Sequence, residues 1–176
     1  TMHKILILVF FVLNINSMTI DNLDDIRADW DIFSDRVMGG ISEVYFYEME
    51  EGDKSFYRLE GNVSTANNGG FIQSVAKIKD INEEYKGIRI TVRGSEDKYY
   101  VWIRTPACRF PWDRYLVSFT PSKNWSTIEV PFSDFQKSNF YMRKKMNIRR
   151  IKTVALAAYG KDFNAQLDIA NIEFYK

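Results

Sequence analysis

Short runs in which apolar and polar residues alternate fill most of this chain, and turn residues interrupt them at roughly ten-residue intervals. A period of two sends successive side chains to opposite faces of an extended strand, so each run can bury one face and wet the other. The runs are VYFYEM (44–49), SFYRLEGNVS (55–64), FIQSVAKI (71–78), GIRITVRG (87–94), YYVWIRT (99–105), YLVSFT (115–120), WSTIEVPF (125–132), IKTVALAAY (151–159) and AQLDIANIEFY (165–175). No stretch of about 12 residues or more holds a helical period. About nine or ten strands at this spacing predict an all-β fold, a two-sheet antiparallel β-sandwich of the jelly-roll kind. Residues 50–53 read as the hairpin turn between the first two runs. In the last run, Leu167 and Ile169 share a face with Ile172 and Phe174 only if the register slips by one residue, which leaves Asp168, Asn171 and Glu173 polar. Residues 21–35 are acidic and loosely patterned, with Leu23, Ile26, Trp30 and Phe33 as the expected anchors. Trp125, at the head of an alternating run, is expected in the core.

The first residues follow another rule. His3 and Lys4 precede nine unbroken apolar residues, Ile5 to Leu13, with small polar residues after them. Crossing a bilayer as a helix takes roughly 20 apolar residues, whereas a signal-peptide core takes about 7 to 15. The expected organisation is a signal peptide over 1–17 and one sandwich domain over 18–176. The product is then periplasmic or secreted, and stays on the membrane if the leader is not cut. His3 is the sole histidine and Cys108 the sole cysteine. The domain after the leader therefore has no imidazole for a catalytic triad or a histidine metal site, and no internal disulfide. Cys108 reads as a buried small apolar residue.

Charge is balanced overall at +1 but unevenly placed, since residues 18–60 carry 12 acidic and 4 basic side chains and residues 61–176 carry 11 and 19. The densest basic run is RKKMNIRRIK (143–152), where Arg143, Lys144, Lys145, Arg149 and Arg150 offer contact to anionic lipid or simply a solvated loop. A near-neutral, exported chain gives no reason to expect nucleic acid as a partner. With 23 acidic residues a carboxylate-pair hydrolase has its raw material, but no pair is marked by its surroundings, so no enzyme activity is expected. No phosphate-cradling glycine loop is present, no cofactor is expected, and a calcium site within the sandwich stays open without a motif to signal it.

Two glycine pairs each precede a strand: DRVMGG (35–40) and NNGG (67–70). A glycine pair is needed where the backbone takes positive φ or where another segment comes too close for a Cβ. Asparagine tolerates the left-handed region and bonds nearby backbone. Two such turns can share one rim of a sandwich, with Arg36 paired to an acidic neighbour and Asp35, Arg36, Met38, Gly39, Gly40, Asn68, Gly69, Gly70 and Phe71 forming a recognition patch. A second candidate is CRFPWDRY (108–115), whose Arg109, Trp112, Asp113 and Arg114 suit either a protein client or a sugar stacked on an aromatic loop.

These same residues carry a family resemblance. W-x4-DRVMGG-x-S from Trp30 to Ser42, EGNVSTANNGGFIQS from Glu60 to Ser74, GIRITVRG with YYVWIRT, and WSTIEVPFSDF from Trp125 to Phe135 together resemble the complex I intermediate-associated protein 30 family. That resemblance implies a galactose-binding-like jelly roll related to carbohydrate-binding modules. It also implies a non-enzymatic, chaperone-like part in assembling a respiratory NADH:ubiquinone oxidoreductase, or another envelope complex, by recognising subunits or intermediates. The expected partner is a protein client, with carbohydrate as the alternative. One departure is plain: assembly members of the family work in mitochondria, and this chain carries an export-type leader.

Overall fold

A computed structural model describes residues 17–82 and 84–176; the leader expected over 1–17 lies outside the described residues except for Ser17. Among the described residues there are twelve strands: β1 (Met18–Asp21), β2 (Trp30–Ser34), β3 (Tyr45–Glu51), β4 (Lys54–Val63), β5 (Phe71–Lys77), β6 (Gly87–Gly94), β7 (Tyr99–Arg104), β8 (Tyr115–Phe119), β9 (Ser126–Pro131), β10 (Gln136–Lys137), β11 (Thr153–Tyr159) and β12 (Phe163–Tyr175). Nine coincide with the alternating runs. The other three, β1, β2 and β10, are short and lack alternation; their pairing is decided by neighbours rather than by local pattern.

All pairings are antiparallel. One sheet runs β3-β4-β12-β6-β9 with β1 added to β12, and the other runs β10-β8-β7-β11-β5-β2. The slip expected in the last run is real: β12 against β6 shifts register between Ile169 and Asn171, so Leu167, Ile169, Ile172 and Phe174 all reach the core. Facing them are Ile72, Val101, Ile103, Val154 and Leu156 from the second sheet, every one fully buried. Cys108 is buried as a small apolar residue.

Two anchors are misassigned by the sequence. Leu23 is buried and Trp30 packs on the core, but Ile26 and Phe33 are exposed. Phe33 sits one residue out of phase with the buried Ser34, so the pleat turns it outward. Trp125 is also outside the core. It lies half-buried against Phe56, edge to face at 5.4 Å, with Lys54 and Arg93 over its ring at 4.5 and 4.8 Å.

The fold has two ends. Phe71 opposite Tyr159, and Val63 opposite Phe163, mark one. Arg104 opposite Thr153, Lys77 opposite Thr153, and Tyr115 opposite Lys137 mark the other. We call these the glycine end and the aromatic end.

Candidate functional site

At the glycine end β2 runs into a 3-10 turn, Asp35–Met38, capped by the Ser34 side chain and closed by left-handed Gly39. Asp35 turns inward and is fully buried. Its carboxylate accepts the Ser42 N–H at 2.9 Å, the Ser42 Oγ–H at 2.5 Å, the Gly70 N–H at 2.5 Å and the Phe71 N–H at 3.4 Å. Ser42 Oγ in turn accepts the Ser64 N–H at 2.9 Å. Burial pushes the Asp35 carboxyl up, but the donors from Ser42, Gly70 and Phe71 outweigh it and hold the group below the usual carboxylate range.

Both glycine pairs serve this knot. A Cβ on Gly40 or on Gly69 would overlap the Asp35 carboxyl group, while Gly39 and Gly70 sit at φ +90° and +120°. Asn67 and Asn68 take left-handed φ of 56° and 57°, and the Asn67 amide donates to the Gly39 carbonyl at 3.3 Å. The two turns therefore share one rim. Arg36 lies outside the knot, donating from Nε to the Ser42 carbonyl at 3.1 Å and pairing with Glu43 at 3.3 Å. Asp35 itself holds the loop and presents no surface. What the loop presents is apolar: Val37, Met38 and Ile41 are 71%, 63% and 51% exposed. A groove lined by Ile41, Glu43, Asn62, Val63, Ser64 and Asp162 borders them.

The 108–115 loop lies at the opposite end, so the structure does not bring Arg109, Trp112 and Arg114 to the glycine rim. It has its own hub. Asp113, fully buried, accepts the Arg109 and Phe110 N–H groups, each at 3.0 Å, the Asn139 amide at 2.9 Å, and the Tyr141 hydroxyl. Burial raises this carboxyl as well, and the bonds from Tyr141, Phe110, Arg109 and Asn139 bring it below the usual range. Around the hub Phe110 and Trp112 stack in parallel at 5.1 Å, with Tyr141 edge-on to Phe110 at 5.9 Å and Phe140 edge-on to Tyr141 at 5.4 Å.

Arg114 leaves that loop for the outer face of the second sheet. Its guanidinium lies 3.8 Å over Trp102 and 5.1 Å from Tyr159, and burial pushes its pKa down. Trp102 is also edge-on to Phe71 at 6.0 Å and to Tyr159 at 5.6 Å. Phe71 thus faces this outer patch rather than the rim. Sequence reasoning did not single out Val37, Ile41, Phe110, Phe140 or Tyr141. Ser42 stood in the quoted motif, and its spacing from Asp35 was the available signal. Phe140 and Tyr141 lie in no alternating run and gave none. Among the described residues no three His, Cys, Asp or Glu side chains gather to hold a metal.

Solved structures with this architecture include carbohydrate-binding modules. The family 11 module of a Clostridium thermocellum cellulosomal cellulase superposes with a TM-score of 0.74 at 16% identity, covering 92% of this chain and 95% of that one. The same family 11 module in complex with a β-1,3-1,4-mixed-linked tetrasaccharide gives 0.74 and 16% over 90% and 95%. A family 30 module from another cellulosomal cellulase of that organism gives 0.65 and 11% over 91% and 97%. At such identities the likeness establishes the fold, a galactose-binding-like sandwich. No curated protein matches the sequence. The family model for complex I intermediate-associated protein 30 matches residues 19–169, spanning both glycine turns, the Asp113 loop and nearly every strand, and the chain belongs to that family.

Proposed function

We propose that this domain is a non-catalytic binding protein that recognises a protein client at its glycine end. The client is a subunit or intermediate of a respiratory or other envelope complex, as the family's name suggests. The observation that carries this reading is the exposure of Val37, Met38 and Ile41 on a loop whose backbone the Asp35 knot has already fixed. A loop ordered beforehand spends little of its binding free energy on ordering, and an exposed methionine adapts to varied apolar partners. The bordering groove carries Asp162, whose carboxylate, among the described residues, accepts only from Thr65 and faces no cation, which favours a client segment with apolar residues beside a basic one. Catalysis is disfavoured by the fate of the buried carboxylates. Asp35 and Asp113 are consumed by donors that keep them ionised, Asp168 lies under Arg58 at 2.6 Å and Arg93 at 2.8 Å, and Asp21 accepts from the Leu23 and Ala28 N–H groups, Trp30 Nε1 and the Tyr57 hydroxyl. The apolar leader segment supports a place in the cell envelope.

The test is photo-crosslinking from position 38 to purified complex I subcomplexes, paired with the variants Met38→Lys and Val37→Asp. Both should fold as the parent and lose capture. Capture that survives both changes would refute the reading.

One observation favours a carbohydrate ligand instead. Tyr159 and Phe33 are exposed on the outer face of the second sheet, with the Arg114 guanidinium beside Tyr159, a ring-and-donor arrangement suited to a sugar. Against the broader version of this idea, Arg114 already covers the Trp102 face that a pyranose would need. A glycan array answered by binding that Tyr159→Ala abolishes and Met38→Lys leaves alone would favour this second reading.

A further inference from the structure

We propose that the aromatic end docks onto a membrane surface rich in anionic lipid. Four rings make one connected exposed cluster there: Phe110, Trp112, Tyr141 and Phe140. Phe140 is 89% exposed and Trp112 58%. An exposed phenylalanine at a loop tip has no role in the core, and its position is not loose. Lys137 Nζ donates to the Phe140 carbonyl at 2.6 Å and to the Met142 carbonyl at 3.0 Å, while the Tyr115 hydroxyl donates to the Arg143 carbonyl at 2.9 Å. The Asp113 hub ties this loop to the 108–115 loop through Asn139 and Tyr141.

Charge complements the rings. Residues 104–114 and 137–152 carry ten Lys and Arg side chains against a single acidic one, the buried Asp113. Arg109, Arg143, Lys144, Lys145 and Arg150 are exposed. Three other acidic groups near this end are paired, Glu84 with Lys176 at 2.7 Å and Asp29 and Asp31 with Lys77 at 3.0 and 3.1 Å, while the exposed Asp80 and Asp134 are outnumbered by the cations around them. Aromatic rings settle at the headgroup level, and clustered cations are drawn to the anionic surface around them. A sugar-binding platform would not need the cations, and an apolar protein groove would not favour so strong a single sign of charge. The described chain also enters the fold at this end, through Met18 opposite Phe174, so an apolar leader retained in the membrane would bring this end toward it.

The experiment is co-sedimentation of the full chain with vesicles of phosphatidylcholine alone or mixed with phosphatidylglycerol. The expected result is stronger partitioning onto the mixed vesicles, weakened by salt. Replacing Lys144 and Lys145 together by Gln should weaken it about 25-fold, at roughly five-fold per cation. Phe140→Ser should weaken it further, and brominated lipid should quench a fluorescence component that Trp112→Phe removes. A leader acting alone would bind both vesicle types alike and ignore these changes. Equal partitioning of parent and variants onto mixed vesicles overturns the proposal. So does a glycan or protein bound at Trp112 and Phe140 while the vesicles show no preference.

Discussion

Each end of the sandwich is organised by a buried aspartate that accepts four hydrogen bonds, yet the two ends offer different chemistry to solvent. Asp35 draws on Ser42, Gly70 and Phe71, so it joins chain segments about 35 residues apart and holds them with main-chain amides and one hydroxyl. Asp113 takes two amides from its own loop and two side-chain donors from the next one, Asn139 and Tyr141. The first knot needs glycine because backbone crowds the carboxylate. The second has no glycine and surrounds itself with rings. One device, an ionised carboxylate kept in place by donors rather than by a cation, therefore fixes a small apolar tip at one end and a cationic aromatic platform at the other.

The largest effect expected is on stability, and it should separate the two hubs. Asp35→Ala leaves the Gly70 and Ser42 N–H groups buried without an acceptor, and each orphaned donor costs about 1–3 kcal/mol. A total of about 3–5 kcal/mol is a large part of the roughly 5–15 kcal/mol that holds a domain together. Asp113→Ala frees the Arg109 and Phe110 amides, but these lie in an exposed loop where water can replace the carboxylate. Urea unfolding of the two variants measures the difference. A larger loss for Asp113→Ala would break the contrast drawn here.

Next in size are the glycines. In Gly40→Ala and Gly69→Ala the new methyl overlaps the Asp35 carboxyl group, so the knot must open by a few tenths of an ångström or more. We expect about 1–3 kcal/mol from either change, as for other overpacked sites. Combining each with Asp35→Ala sharpens the test. At Gly69 the methyl then meets no carboxyl group, so that double variant should lose less than the sum of the single ones; at Gly40 the Cβ of residue 35, which alanine keeps, still stands 2.7 Å away, so there the relief should be smaller.

Acid should expose both hubs together. Burial raises each carboxyl, and the hydrogen bonds lower it by more, so both fold with depressed values. A group depressed in the folded state contributes its stability in full above the unfolded aspartate value near about 4, and loses it as pH falls through the folded value. Urea midpoints should therefore fall below about pH 4. In Asp35→Asn and in Asp113→Asn the slope of that fall should be shallower than in the parent. An unchanged slope in either would mean that its hub does not ionise.

How far the sequence foretold these two ends differs for a physical reason. Alternation located nine strands and even the slip in β12, because a period of two is imposed residue by residue by the pleat. β2 escaped since its buried Ser34 and exposed Phe33 reverse the usual hydrophobic order at the place where the chain leaves the sheet for the Asp35 knot. The glycine rim was legible because close approach and positive φ each restrict residue type, and the pairs displayed both. The aromatic end was legible only in part. Trp112 and Arg109 stood out by composition, but nothing local tells that Asp113 would gather Asn139 and Tyr141 across 26 and 28 residues and carry Phe140 out beside them. Arg114 was grouped with that loop by proximity in sequence, whereas its side chain follows the pleat onto Trp102.

The smallest effects are the most diagnostic of what each end is for. Met38→Ala and Phe140→Ala remove side chains that are mostly in water, so each should change stability by no more than about 0.5 kcal/mol. If the ends have separate partners, Met38→Ala should weaken client capture and leave vesicle partitioning alone, and Phe140→Ala should do the reverse. Both readouts are binding measurements on proteins of equal stability, so neither can be moved by partial unfolding. A variant that weakened both would mean that the client is met at the membrane and touches both ends, and the division into two independent surfaces would have to be abandoned. If Phe140→Ala instead lowered stability by well over 1 kcal/mol, the ring would be holding the Asp113 loop together rather than waiting for a partner.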